Sequence, residues 1–421
     1  MAFGNLFGGR GTQTDSPPHE DNLSVVEETE NENAVDRQVV FNSESKEVID
    51  NDLMERLYES FLKGIIFEPR TNGELKLKET VTDVSFNGTQ VKVQDNIKGR
   101  YTWTKTKVTA EDVANLGRIL AVGKNKSWTD MEPILDLEVG TIRFNFMSRE
   151  IAPYGETMAL RVSHPRLATG SLQDICNEDV ATLIDVLVQT GMSIMVSGQT
   201  GAGKTETQKI LVGSIPDHLK ITLAEDTLDS HLKVVYPNKD INSWQIKKKE
   251  TGKSIEFPAL IKAGMRNNPE WFLISEIRGD EATDLLTAGL TGHYFCSTIH
   301  AEGAYSIPSR MLQMIAERYP NLNQEVLMRD ITNVLGLGIH MEAKFMEDGR
   351  IVRRIREVVE YVDCDVKMGV VSNPLFARKT EYNKTTGEYT EQMVMGKVSD
   401  KTYQKVADAR LIHLVPDVFL G

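Results

Sequence analysis

Cysteine is scarce in this sequence, and its scarcity excludes several kinds of small domain. Only Cys176, Cys296 and Cys364 occur in 421 residues, and they lie far apart. Their spacing does not allow a disulfide framework, a thioredoxin-like CxxC pair or a four-cysteine zinc module. We therefore expect three buried thiols with a structural role.

Long apolar runs and an excess of basic charge are missing as well. Polar residues interrupt every apolar stretch well before the length of a membrane span, and the opening MAFGNLFGGRGTQT is unlike a secretory signal. The sequence has 48 Lys and Arg residues and 61 Asp and Glu residues, which gives a formal charge of -13. This charge argues against a general basic surface that binds nucleic acid. We expect a cytoplasmic protein without direct sequence-specific binding of nucleic acid, although a local basic patch stays open.

The N-terminal half divides by composition into three parts. Residues 1–46 are acidic, polar and poor in aromatics, which predicts disorder. Residues 47–79 predict a helical docking segment in which Leu53, Leu57 and Phe61 recur every four positions. Residues 80–163 predict an α+β domain, because short alternating runs are broken by turn dipeptides such as Asn87-Gly88 and Thr109 begins a possible capping box.

The C-terminal half shows a different alternation. HPRLATGS, residues 164–171, has the composition of a linker. In residues 172–360, helical segments separate the buried runs SIMVS, LKITLA, WFLIS and YFCSTI, which predicts an α/β domain with a mainly parallel sheet. Residues 361–421 predict a hairpin and helix extension. From about residue 340 onward the sequence predicts two hairpins, with turns at 347–349 and 384–387.

A phosphate-binding loop is the strongest local signal. Residues 198–205, GQTGAGKT, match GxxxxGK[ST], follow an apolar strand and begin a plausible helix. Glycines let backbone N–H groups curl around a phosphate, Lys204 reaches the β and γ oxygens, and Thr205 offers a hydroxyl to Mg²⁺. The loop therefore predicts ATP and Mg²⁺ as ligands. The predicted nucleotide contacts from this loop are Gly198, Gln199, Thr200, Gly201, Ala202, Gly203, Lys204, Thr205 and Glu206.

Three further polar residues follow apolar strands. Glu225 ends LKITLA and predicts a metal or water contact, and Glu276 follows WFLIS in the position of a general base. His300 comes just after YFCSTI. Each also has a structural interpretation: a solvated strand end or helix cap for Glu225, an exposed glutamate for Glu276, and a structural histidine for His300.

Taken together, the motifs resemble a known family. Four segments resemble, in this order, the Walker A, Asp box, Walker B and His box of the secretion superfamily of traffic ATPases. They are GQTGAGKT, LAEDTLD, LIKAGMRNNPEWFLISEIRGDEA and TGHYFCSTIHAEGA. The strand-rich region before them looks most like the type IV secretion and tight-adherence pilus branch. Ser275, Leu228, Asp229 and the pair Glu302-Gly303 depart from the usual motif residues.

The resemblance implies both architecture and roles. It implies a RecA-like ATPase domain after an N-terminal domain, a homo-hexameric ring at the inner face of the membrane, and partners among membrane-embedded secretion or pilus platform proteins, a coupling ATPase, or DNA handled indirectly. By position, Glu276, Glu225 and His300 would be catalytic, and Thr205 and Glu225 would hold the metal. Arg143 and Arg161 would contact the nucleotide from the N-terminal domain, with Arg266 and Arg278 as weaker candidates; each could instead form a surface ion pair.

Three functions remain open from the sequence. The first is an ATP-driven motor for type IV secretion, pilus assembly or substrate translocation. The second is a phosphate-loop DNA translocase or helicase-like motor, which the acidic balance counts against. The third is a scaffold that binds ATP to fix a ring interface without hydrolysing it.

Overall fold

The structure is a computed structural model that describes residues 44–168, 170–247, 254–346, 350–365 and 369–421. Most of the segment predicted to be disordered, 1–46, and the predicted turn at 347–349 lie outside these residues. Residues 44–46 belong to the first helix, so that prediction is wrong for them. No helix in the described part of the chain is long and apolar enough to cross a membrane.

The N-terminal unit is an antiparallel sheet covered by helices. Its elements are α1 (Glu44–Glu59), α2 (Lys63–Ile66), β1 (Val81–Phe86), β2 (Val91–Asp95), β3 (Gly99–Thr102), α3 (Ala110–Gly123), β4 (Ile134–Val139), β5 (Ile142–Met147) and β6 (Thr157–Val162). The strand order is β3-β2-β1-β6-β5-β4. β1, β2, β5 and β6 bury apolar residues on one face, where α1 and α3 complete a core.

Local signals in this unit act as predicted. The Thr109 side chain accepts a hydrogen bond from the Asp112 N–H while the Asp112 carboxylate accepts from the Thr109 N–H, so the predicted capping box is confirmed. Of the three residues predicted on the docking helix, Leu53 and Leu57 lie on α1 and are buried in the same core as the sheet. Phe61 follows the end of α1 at Glu59 and is half-buried against that core. The helix starts before the expected position, because α1 already includes Glu44.

The larger unit is built on a nine-stranded sheet. Its elements are α4 (Glu178–Gln189), β7 (Ile194–Gly198), α5 (Lys204–Ser214), β8 (Ile221–Glu225), α6 (Leu232–Val235), β9 (Ile241–Gln245), α7 (Phe257–Met265), β10 (Trp271–Ile277), α8 (Glu281–Leu290), β11 (Tyr294–Ile299), α9 (Ile307–Arg318), α10 (Gln324–Val334), β12 (Leu337–Phe345), β13 (Ile351–Asp365), β14 (Gly369–Asn383), β15 (Glu388–Met395) and α11 (Asp400–Asp408). The strand order is β15-β14-β13-β12-β7-β11-β10-β8-β9.

Six of these strands are parallel, and three are added antiparallel at one side. β12, β7, β11, β10, β8 and β9 run in one direction, whereas β13, β14 and β15 form antiparallel pairs. The predicted fold class, an α/β domain with a mainly parallel sheet after a smaller α+β domain, is confirmed. Two separate cores contain apolar residues of this sheet, one shared with α4 and α5 and the other with α8, α9 and α10.

β13 runs across the boundary expected after residue 360. Its ladder with β12 already pairs Glu360 with Leu337, and its ladder with β14 pairs Asp365 with Gly369. Because both ladders continue through residue 360, the predicted C-terminal extension is part of the same sheet as the phosphate loop. The predicted turn at 384–387 does connect β14 with β15.

Two of the three cysteines meet the expectation of burial. Cys176 and Cys296 are buried, and burial raises the pKa of each thiol to about 12. Cys364, near the end of β13, is half-buried. The expectation of burial is therefore wrong for Cys364, which lies in the last residues of β13, where exposed and half-buried positions alternate.

Candidate functional site

The loop between β7 and α5 has the backbone geometry that its glycines predict. Gly198 has φ 151°, and a Cβ at this position would lie 2.6 Å from the carbonyl oxygen of Met341 on β12. Gly203 adopts φ 96° immediately before α5. Only glycine fits at position 198, because any other residue would strain the backbone at this positive φ and its side chain would collide with β12.

Lys204 is held inside this loop. Its Nζ donates to the carbonyl oxygens of Gly198 at 3.0 Å and Gln199 at 3.3 Å. The residue is only 8% exposed, and burial lowers the pKa of its ammonium while the Glu276 carboxylate opposes that change. An ammonium that is largely removed from water and hydrogen-bonded to uncharged carbonyl oxygens attracts an anion.

The loop forms one wall of a cavity of about 650 Å³. Other walls come from the N-terminal sheet, the 163–168 segment and β13. The predicted loop residues that line it are Thr200, Gly201, Gly203, Lys204, Thr205 and Glu206. Gly198, Gln199 and Ala202 do not line the cavity: Gly198 and Ala202 are buried, and Gln199 is exposed.

Glu276 and His300 meet next to Lys204. The ends of the parallel strands β10 and β11 bring Glu276 Oε1 to 2.8 Å from His300 Nε2, and His300 Nε2 lies 3.4 Å from Lys204 Nζ. Arg278 donates to Glu276 Oε2 at 2.7 Å and to Asp226 Oδ2 at 3.2 Å. The structure therefore brings together three predicted residues that are up to 96 positions apart.

Glu225, in contrast, does not line this cavity. It is 1% exposed at the end of β8, where its Oε1 accepts a hydrogen bond from the Ser230 N–H at 3.0 Å. Its Oε2 has no partner among the described residues. The Glu225 carboxyl thus turns toward the following turn, and of the predicted metal pair only Thr205 stands on the cavity wall. Asp229, from the same turn, lines the cavity instead.

We expect the substitution Glu225→Gln to stabilise the protein at pH 8 and much less at pH 5. Burial raises the pKa of the Glu225 carboxyl from 4.5 to about 7. The protonated carboxyl stabilises the folded state fully below the pKa of Glu225 in the unfolded chain. This stabilisation is lost as the pH rises through the pKa of Glu225 in the folded protein. Glutamine mimics the protonated form, so the gain in unfolding free energy at pH 8 is on the order of 3 kcal/mol.

Thermal unfolding of wild type and Glu225→Gln from pH 5 to pH 8 measures this effect. Glu317→Gln, an exposed change on α9, is the matched control and should show no such pH dependence. A difference between wild type and Glu225→Gln that stays constant over this range would contradict a buried carboxyl with a raised pKa.

Of the two arginines predicted in the N-terminal domain to contact the nucleotide, only one lines the cavity. Arg161 on β6 lines the cavity, and its Nε lies 3.0 Å from Asp83 Oδ1. Burial opposes its charge, but Asp83 and other carboxylates raise the pKa of Arg161 overall. Arg143 stands opposite Arg161 in the sheet register but is exposed and does not line the cavity. Of the weaker candidates, Arg278 lines the cavity, and Arg266 is exposed at the end of α7.

Glu206 connects the phosphate loop to the predicted linker. Its Oε2 accepts a hydrogen bond from the Ala168 N–H at 3.0 Å, and its Oε1 accepts from Lys209 Nζ at 2.8 Å. Lys209, only 2% exposed, also donates to the Arg166 carbonyl oxygen at 3.3 Å. Glu206 lines the cavity, but its contacts hold the 163–168 segment against α5.

Arg353 is a cavity residue that sequence reasoning missed. It lies on β13, outside all four motifs, and its Nε donates to the Gly201 carbonyl oxygen at 2.8 Å. Asp83, the partner of Arg161, was missed as well. No local pattern marks either residue, because both reach the cavity through contacts between distant strands.

The residues present suit Mg²⁺ bound together with a nucleotide. No group of three or more His, Cys, Asp or Glu among the described residues is arranged to hold a metal ion by itself. Mg²⁺ prefers one or two protein oxygens together with phosphates and water. The Thr205 hydroxyl is such an oxygen on the cavity wall, and the carboxylates of Asp229 and Glu276, which could accept hydrogen bonds from metal-bound water, line the same cavity.

Comparison with known proteins identifies relatives. An uncharacterized protein of Bacillus anthracis is 26% identical over 379 residues, 87% of this chain and 82% of that one. The conjugal transfer protein TrbB of Rhizobium radiobacter is 28% identical over 242 residues, 55% of this chain and 68% of TrbB. The crystal structure of the Legionella pneumophila ATPase DotB is 17% identical, covers 65% of this chain and 76% of its own, and has a TM-score of 0.48.

A family model gives the broadest assignment. The model described as "Type II/IV secretion system protein" matches residues 135–357, which include the last strands of the N-terminal sheet, the phosphate loop, Glu276 and His300. This match spans more than half of the 421 residues. The family expected from the motifs is therefore confirmed, and the chain belongs to the type II/IV secretion system protein family.

Proposed function

We propose that this protein is an ATPase motor that hydrolyses ATP to drive type IV secretion, pilus assembly or substrate translocation. The observation that carries the proposal is the convergence of Lys204, Glu276 and His300 on one cavity beside the phosphate loop. A buried ammonium suits a phosphate chain, and a carboxylate near it suits activation of water. Membership of the secretion family supports the coupling to transport.

In this proposal, each cavity residue has a distinct task. The loop N–H groups and Lys204 bind the phosphates, and Glu276 positions and deprotonates the attacking water. His300, between Glu276 and Lys204, senses the terminal phosphate. Thr205 would hold Mg²⁺, which would neutralise charge on the phosphates. Arg161 adds positive charge from the N-terminal sheet, so nucleotide bound in the cavity bridges both units.

Phosphate release by the intact purified chain tests this function. We expect Mg²⁺-dependent hydrolysis of ATP that neither single-stranded nor double-stranded DNA stimulates, because the chain carries a net charge of -13. Hydrolysis that DNA stimulates, together with salt-sensitive binding of the strand, would favour the DNA translocase. Tight ATP binding without phosphate release would favour the scaffold.

We further propose a homo-hexamer that associates peripherally with the inner face of the membrane and with membrane-embedded platform proteins. The support is the family's role in secretion systems. Native mass measurement with and without ATP tests the assembly. A species of six chains is expected with ATP, and a monomer under every condition would contradict the ring.

A further inference from the structure

Five cationic side chains line the cavity, and they differ in how their charge is compensated. Arg161 pairs with Asp83, Arg278 pairs with Glu276 and Asp226, and Arg166 lies 4.0 Å from Glu79. The remaining two are Lys204 and Arg353. Neither has a carboxylate within ion-pair distance among the residues that the structure describes.

The Arg353 side chain lies in direct contact with the phosphate loop. Its Nε donates to the Gly201 carbonyl oxygen at 2.8 Å, and a Cβ added at Gly203 would lie 3.3 Å from its Cδ. Its Nη1 is 3.5 Å from Asn96 Oδ1 in the N-terminal unit. β13 therefore places a cation at the cavity wall, next to the loop between Gly201 and Gly203.

The guanidinium of Arg353 retains free hydrogen-bonding capacity. Arginine carries five N–H donors and is not deprotonated in proteins. One donor is bound to Gly201 and a second is at the distance limit to Asn96, so the Nη2 donors have no partner in the described chain. Burial lowers the pKa of Arg353 while the Asp83 and Glu206 carboxylates oppose that change, and the half-buried guanidinium stays accessible from the cavity.

We propose that Arg353 is a nucleotide-binding residue that donates to the phosphate chain while its Nε holds the Gly201 carbonyl. The proposal rests on the proposed function, since the anion is the nucleotide of the same cavity. It adds a third source of phosphate contacts, the antiparallel strand β13, to the phosphate loop and the N-terminal sheet. Asn96 then keeps the N-terminal unit next to the same guanidinium.

Calorimetric titration of the full chain with ADP tests the role of Arg353. We expect Arg353→Gln to weaken ADP binding about 10- to 50-fold, since it removes charge-assisted hydrogen bonds to phosphate. The matched control is Arg356→Gln, which removes a cation from the same strand at an exposed position outside the cavity. This control should change the ADP dissociation constant less than twofold.

A second measurement separates binding from support of the loop. If Arg353 contacts phosphate, Arg353→Gln keeps the unfolding midpoint of the nucleotide-free protein and reduces the rise that ADP produces. Wild-type affinity for ADP in this variant would overturn the proposal, and so would a fall in the nucleotide-free midpoint large enough to explain the weaker binding. Failure of the wild type to bind ADP would instead refute the proposed function.

Discussion

Replacing Glu276 by glutamine should abolish most ATP turnover and leave nucleotide binding intact. Glu276 lies at the carboxyl end of β10, with one carboxylate oxygen 2.8 Å from His300 and the other 2.7 Å from Arg278. Glutamine keeps the shape of this side chain but cannot accept a proton from water. General-base catalysis is typically worth ~10²- to 10⁴-fold, so we expect kcat to fall by about that factor.

Nucleotide affinity should respond differently to this substitution. Removal of a negative charge close to the phosphate site reduces repulsion, so the dissociation constant for ATP should stay equal or fall. Steady-state phosphate release and equilibrium binding of ATP measure the two quantities. Glu317→Gln on α9 removes an exposed carboxylate outside the cavity and should leave both unchanged. Near-normal turnover by Glu276→Gln would mean that another group activates water.

Replacing Lys204 by alanine should remove both binding and turnover. Lys204 is 8% exposed, and its ammonium donates hydrogen bonds to the carbonyl oxygens of Gly198 and Gln199. From this position the ammonium can donate to a phosphate oxygen instead. A charge-assisted hydrogen bond in such a place contributes about 1.5 to 3 kcal/mol, so affinity for ATP should fall at least about tenfold. Loss of charge stabilisation during hydrolysis should reduce kcat/KM further, by ~10²-fold or more.

The Lys204→Ala variant should keep the fold of the nucleotide-free protein. Circular dichroism and the thermal midpoint of nucleotide-free Lys204→Ala should match those of wild type, because removing a buried ammonium also removes its desolvation cost. Lys262→Ala, on the exposed surface of α7, is the matched control for loss of a lysine. Unchanged ATP affinity in Lys204→Ala would contradict a phosphate site in this loop.

Local chemistry explains why much of the fold could be predicted. Gly198 and Gly203 need unusual backbone angles that glycine adopts easily, so the phosphate loop is recognisable from adjacent residues. The capping box at Thr109 depends on residues three positions apart. The buried parallel strands appear as short apolar runs, and their common direction places Glu276 and His300 at one edge of the sheet.

The predictions that differ from the structure depend on side-chain direction or on distant pairing. Glu225 ends its strand at the expected place, but a hydrogen bond from the Ser230 N–H turns its carboxyl away from the cavity. Arg143 and Arg161 are cross-strand neighbours, yet only Arg161 lines the cavity. The expected boundary after residue 360 misses the continuous pairing of β13 with β12 and β14.

By itself, the sequence determined the phosphate loop, the order of the motifs and the α/β class, since each follows from neighbouring residues or from apolar spacing. Tertiary structure decided which charged side chains share the cavity. Arg353 is 152 positions from Gly201 and Asp83 is 78 from Arg161, and each pair meets only after the strands have paired and packed. A contact over such separations is set by sheet register and burial, which no local pattern encodes.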